Sequence, residues 1–252
     1  MIRGIYISAS GLLLEEMRSD ITANNIANAN TAGFKKDRAV ASSFPEMLLE
    51  RIAAGETTPI GSSGLGAEVM ASAVDRSQGA LQPTGNPLDL AISGQGFFVV
   101  QTPEGERYTR RGSFSRDNQG YLVTDQGYRL LGNAGPIKVP AGELVVDKQG
   151  NIRVKDSTAT LRIVDFTGTA DVPAARLIKE GDSFLRAEGG RQPSLARGYQ
   201  IQQGFLEASN VNPLSEMVAL ITVMRGFEAN QKAVQAQDET LDKAVNELGR
   251  LR

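Results

Sequence analysis

Toward the C-terminus, apolar residues recur every seven positions: Leu220, Phe227, Val234, Leu241 and Leu248, with Met217, Met224 and Val245 beside them at helical spacing. A repeat held this long predicts one helix with an adhesive stripe. At about 1.5 Å per residue, a helix from Pro213 to Arg252 would reach about 60 Å, too long to fold back onto one compact domain. Its start is well marked: Asn212 suits the N-cap, Pro213 the first helical position, and Glu216 places negative charge in the first turn. Gln231 and Asp238 fall on positions flanking the stripe. Polar residues in a seam fix register or partner more than they add stability. A seven-residue repeat can equally be the core of an intramolecular helix hairpin.

The N-terminus carries a leaner version of the same pattern. Ile5, Leu12, Ser19 and Ile26 are seven apart, with Ala9, Glu16 and Ala23 adjoining. This predicts a helix over residues 3 to about 30 whose small residues let a second helix approach closely. It enters Asn24-Asn25-Ile26-Ala27-Asn28-Ala29-Asn30-Thr31-Ala32-Gly33-Phe34, where Asn weakens the helix and Gly33 suits its C′ position. Asn24, Asn25, Asn28 and Asn30 are more amides than one cap needs, which points to side chains bonding a neighbouring backbone. The lean N-terminal face and the bulky C-terminal one are complementary, so the two helices are expected to pair.

Between the helices the pattern changes twice. Phe44–Ile52 predicts a short helix with Pro45 near its first turn, and residues 55–66, with four glycines, predict a linker or extended arm. From about 68 to 206 short β-favourable runs dominate, such as 88–93, 96–101 and 159–166. Asp117–Gly120, Asp125–Gly127 and Asp147–Gly150 punctuate them as turns. The expected fold class is therefore α+β: long N- and C-terminal helices paired as a coiled-coil-like stalk, with an all-β domain inserted between them. The expected domains are 1–34 (N-terminal helix of an inner domain), 35–75 (arm with a short helix), 76–206 (all-β outer domain) and 207–252 (C-terminal helix of the inner domain).

Composition narrows the function. The 252 residues carry a net charge of −2 and no Cys, His or Trp. Disulfides, thiolate chemistry and the commonest general base and metal ligand are thereby excluded. No basic stripe interleaved with aromatics suggests nucleic acid. No apolar run approaches a bilayer span. Met1–Leu14 has an Arg and a short apolar stretch, as a secretory signal would. Ser8, Ser10 and Gly11 dilute it and no clean small-x-small cleavage site follows, so no cleaved signal is expected. The remaining candidates for chemistry are thin. Gly94-Gln-Gly96 leads into the strand-like Phe97–Val100 rather than the helix of a dinucleotide site. The Asp-x-x-Gly turns lack the alternating ligands of a calcium loop. Asp89, between Leu88 and Leu90, either points outward or meets a basic partner. Tyr108–Phe114 is basic, and either holds phosphate or forms a surface salt bridge between subunits. No catalytic, cofactor or metal residue is predicted, and no small-molecule substrate.

Three stretches carry a family likeness. Ala23–Lys36 resembles the N-terminal signature of bacterial flagellar rod and hook proteins. Ser77–Ile92, continuing through Gly94–Val100 to Tyr108–Phe114, is similar to the family's central motif. Gly204–Pro213, with Glu216-Met-Val, Arg225–Lys232 and Asp238, resembles its C-terminal signature. The resemblance implies an axial protein exported by the flagellar type III apparatus without a cleaved signal. It would polymerise with copies of itself and with other rod proteins into a helical tube of the basal body. The terminal helices would form the inner layer and the β-domain the outer. The implied assembly surface comprises Ile5, Leu12, Asn24, Asn25, Asn28 and Asn30 on the N-terminal side. On the C-terminal side it comprises Asn210, Asn212, Leu220, Met224, Phe227, Gln231, Val234, Asp238, Leu241 and Leu248. Within the family, the length and Gly132–Pro140 resemble proximal rod members, whereas Gly94–Phe98 and Glu228–Lys232 resemble distal ones as much.

Overall fold

A computed structural model describes residues 2–43, 47–53, 56–64, 66–140, 144–154, 157–166, 177–181, 183–188 and 193–248. The architecture is α+β: an N-terminal helix, a large β-rich region and a C-terminal helix. The chain divides into two compact units. Unit 1 comprises Met1–Ile26, Asp37–Ser72 and Pro213–Arg252; unit 2 comprises Ala27–Lys36 and Ala73–Asn212.

Unit 1 contains α1 (Ile2–Ala27) and α2 (Pro213–Leu248). α2 begins at the proline its sequence marks. α1 stops earlier than residue 30, with a turn over residues 28–33. Strand Asp37–Ser43 pairs with Ala67–Val74, and Met47–Ala53 pairs antiparallel with Glu56–Ser63. The short helix expected over 44–52 is thus replaced by a strand from Met47 onward, its first residues lying outside those described. Pairing with a Thr- and Ile-bearing partner, Thr57, Thr58 and Ile60, outweighs the helical preference of Met47-Leu48-Leu49-Glu50. The Gly-rich stretch that read as a linker is this partner strand.

Unit 2 is built on the strand Phe97–Thr102, which is central in a ten-stranded sheet between Gly105–Thr109 and Arg129–Gly132. Side chains alternate along a strand, so Phe98 and Val100 enter one core with Leu90, Leu122 and Leu130. Phe97 and Val99 enter a second core with Tyr108, Val164 and Phe166. Burial on both faces is why Phe97-Phe-Val-Val is continuously apolar. Edge-to-face aromatic pairs brace both cores, Phe98 with Phe114 at 5.3 Å and Tyr108 with Phe166 at 4.7 Å.

The Asp-Gly turns are structural. Asp117 Oδ1 accepts from the Gln119 and Tyr121 backbone N–H groups at 2.9 and 2.7 Å. Asp147 repeats this with Gln149 and Asn151 at 3.0 and 2.8 Å, and the Asn151 donors hold its carboxyl below the usual range. The third turn opens one residue earlier than its sequence suggests, at Thr124, whose carbonyl accepts from Gly127 N–H. Asp125 instead pairs with Arg111 at 2.9 Å.

Candidate assembly surfaces

Two sets of contacts organise the predicted assembly residues, one in each unit. In unit 1, α1 and α2 meet through small and polar residues. A Cβ added at Gly4 would lie 2.3 Å from the Gln237 side chain, and one at Gly11 would lie 2.9 Å from Asn230. A Cβ at Gly226 would lie 3.2 Å from Glu15. Asn25 Nδ2 donates to Glu216 at 3.4 Å. In every pair the two residue numbers add to 241.

The positions on α2 that meet α1 therefore include Glu216, Asn230 and Gln237. With Val223, which is buried, they form a seven-residue column distinct from the predicted stripe. In that stripe Leu220, Val234 and Leu241 are half-buried, Phe227 is exposed, and the side chain of Leu248 lies outside those described. Met217, Met224 and Val245 are exposed, as are Gln231 and Asp238. The polar residues inside this intrachain helix contact are Asn230 and Gln237, while Gln231 and Asp238 lie outside it. On α1, Ile5 and Leu12 are half-buried. A search for apolar columns passes over this contact because its α2 column is mostly polar. The signal that could have found it is the spacing of Gly4 and Gly11, seven apart in an otherwise ordinary helix.

Asn25 is buried and does what surplus amides suggest. Its Nδ2 donates to the Asp37 carbonyl and its Oδ1 accepts from the Asp37 N–H, each at 3.0 Å. This two-way amide grip fixes the first strand of unit 1 against the end of α1. Asn24 and Asn30 are exposed, and Asn28 Oδ1 accepts from the Thr31 hydroxyl at 3.1 Å.

Unit 2 holds a second organising site that the sequence did not disclose. Glu207 is fully buried between two cations: its Oε1 lies 2.5 Å from Lys35 Nζ and its Oε2 lies 3.1 Å from Arg110 Nη1. Glu207 Oε1 also accepts from Gly79 N–H at 2.9 Å, and Lys35 donates to the Ser77 carbonyl at 2.7 Å. Arg110 donates further to the carbonyls of Ile92 and Gly94 at 3.1 and 2.6 Å. Burial pushes both cations below their ordinary pKa, against the opposing pull of Glu207.

Beside the cluster, Asn210 Oδ1 accepts from Lys36 N–H at 2.8 Å, and its Nδ2 donates to Asp75 O, Ser77 O and Ser77 Oγ. Asn210 is thus a splice between segments of one chain; Asn212, exposed, directly precedes α2. Gly33 is not a simple helix cap. Its φ is 71°, and an added Cβ would meet Arg111 N at 2.3 Å. Only glycine fits that approach.

The basic run at 108–114 is accordingly neither a phosphate site nor an intersubunit salt bridge at Arg110, whose two Nη atoms are engaged inside unit 2. Asp89 is buried as well, accepting from Thr84 Oγ1 at 2.7 Å and Asn86 Nδ2 at 3.1 Å, which stitches the 84–89 turn.

Side chains committed to backbone splices and helix contacts, with a β-rich unit inserted between terminal helices, describe a structural protein. The comparisons with known proteins make the class specific. Residues 5–35, spanning most of α1 and the turn beyond it, match the family described as flagella basal body rod protein. Residues 91–154 match the flagellar hook protein FlgE/F/G D1 domain, and residues 202–247 match the flagellar basal body rod FlgEFG protein C-terminal. The chain is 35% identical to the flagellar basal-body rod protein FlgG of Bacillus subtilis, covering 98% of this chain and 99% of that one. It is 34% identical to FlgF of Caulobacter vibrioides with 100% of both chains covered, and 33% identical to the hook-basal body complex protein FlhO of Bacillus subtilis, again over 100% of each. The chain belongs to the flagellar basal-body rod protein family. It is a structural subunit of the bacterial flagellar basal body.

Proposed function

We propose that the subunit polymerises with copies of itself and with other rod proteins into a helical tube that carries torque. In this reading α1 and α2 pair as an antiparallel, coiled-coil-like stalk in the inner layer, and the β-rich unit contributes to the outer layer. One observation carries it: after α1 is in place, Met217, Met224 and Phe227 remain exposed on α2. Apolar area left in water on a helix that already has one partner favours a further one. Export through the flagellar type III apparatus accompanies this role, and the subunit is not a catalyst.

The test is substitution in the predicted stripe. Phe227→Asp and Leu241→Asp are expected to abolish incorporation into rods while the β-rich unit keeps its thermal transition. Normal swimming by either variant would contradict the reading. Purified protein is expected to leave no clearing on a peptidoglycan zymogram. The resemblance of Gly132–Pro140 to proximal rod members favours a proximal position along the rod. Labelling the subunit in isolated basal bodies tests this, and label at the hook end would assign it to the distal rod instead.

A further inference from the structure

The apolar residues left exposed on α1 and α2 include two stripes at different levels of unit 1. On α2, Leu214, Met217, Val218, Ile221 and Met224 are all at least half exposed. At 100° per residue they share one face, on the side away from the column of Glu216, Val223, Asn230 and Gln237. Beyond Met224 that face turns polar, with Arg225, Glu228 and Lys232 exposed. On α1, Tyr6 and Leu13 are 70% and 63% exposed. They lie on the face away from Gly4 and Gly11, which turns acidic at Glu16 and Asp20.

The shared sum of 241 places Leu13 level with position 228 of its own α2, and Met217 level with position 24 of its own α1. The two stripes are therefore offset by about eleven residues, or about 17 Å along the helices. They cannot cover each other within one chain.

We propose that the α1 stripe of one copy docks on the α2 stripe of the next. The proposal rests on the tube reading above. A contact between two different patches of the same chain is heterologous, and it propagates instead of closing. A tube built by repeating one such operation along its axis keeps every copy pointing the same way. The α1 of one copy must then run antiparallel to the α2 of its neighbour, as it does to its own. Aligning the apolar residues in that sense sets Tyr6 against Met224 and Leu13 against Met217. Glu16 then arrives at the first turn of the neighbouring α2, where the helix dipole favours an anion. The offset between the two stripes becomes the axial step between contacting copies.

The absence of cysteine makes disulfide trapping a clean test. Leu13→Cys/Met217→Cys is expressed in cells and basal bodies are isolated and mildly oxidised. The expected result is a reducible ladder of dimers and higher species, with none from Leu13→Cys/Val245→Cys, whose second site is exposed but off the stripe. The offset exceeds the about 7 Å that a disulfide spans between Cα atoms, so the links must join different copies. Incorporation without a ladder, or equal linking through position 245, overturns the docking and leaves the tube reading standing. Absence of the unaltered subunit from basal bodies overturns the tube reading itself. If the double cysteine variant is not incorporated, Leu13→Ser and Met217→Ser are compared with Val245→Ser. Loss of incorporation confined to the first two supports the contact, and equal incorporation of all three overturns it.

Discussion

Glu207 is one anion between two cations, and that imbalance makes the three residues unequal. Removing the anion leaves Lys35 and Arg110 charged, buried and facing each other. Glu207→Gln is therefore expected to destabilise unit 2 by about 3–5 kcal/mol, the usual cost of orphaning a buried charge. Lys35→Met keeps the Glu207–Arg110 pair and is expected to cost clearly less. Urea unfolding followed through the tyrosines of unit 2 measures both, and an equal loss would contradict the ranking. The same lysine gives a pH signature. Its folded pKa is lowered by burial, so between that value and the ordinary 10.5 the unfolded chain holds a proton that the folded chain has released. Stability attributable to Lys35 then rises as pH rises through that window. The urea midpoint of the parent protein should climb relative to Lys35→Met as pH approaches the upper end. None of this was legible in the sequence, because residues 35, 110 and 207 are far apart and each reads alone as a surface charge.

At the scale of elements, both helices and many of the strands could be read from periodicity, since a heptad repeat and a Pro213 start are local signals. The partner face of α2 could not. Hydrophobic spacing selects the column through Leu220 and Leu241, whereas the contact is made by amides lying over glycines. Packing a large side chain against a Gly is steric information, and a transfer scale does not contain it. The register is directly testable. Gly11→Cys/Asn230→Cys is expected to form an intrachain disulfide on mild oxidation, and Gly4→Cys/Asn230→Cys, one heptad out of step, is not. The strand at Met47–Ala53 was hidden for a different reason: its residues form helices well in isolation, and pairing decides otherwise. In unit 2, a Cβ at Gly112 would lie 1.6 Å from the Leu90 carbonyl oxygen, which is backbone and cannot swing aside. Gly112→Ala should cost at least the roughly 1–3 kcal/mol of an overpacked core, seen as a lowered thermal midpoint of unit 2.

At the scale of the molecule, neither unit is a continuous stretch of chain. Composition places the β-rich region between the terminal helices, and strand-like residues end near residue 206. Hydrogen bonding from Glu207 and Asn210 carries unit 2 on to Asn212, and Gly33–Lys36 joins it from the other side. Limited proteolysis of the free chain should accordingly yield a resistant fragment ending near residue 212; trimming back to 206 would contradict the role given to these side chains. The interleaving also sets an order in time. The backbone passes between the units four times, at 26/27, 36/37, 72/73 and 212/213. A chain emerging from its N-terminus can complete unit 2 once Asn212 is free. Unit 1 must wait for Pro213–Arg252, which follows its two other segments and all of unit 2. Because that segment carries α2, the helix pair of unit 1 can form only after the whole of unit 2 is available, so the topology itself acts as a timer.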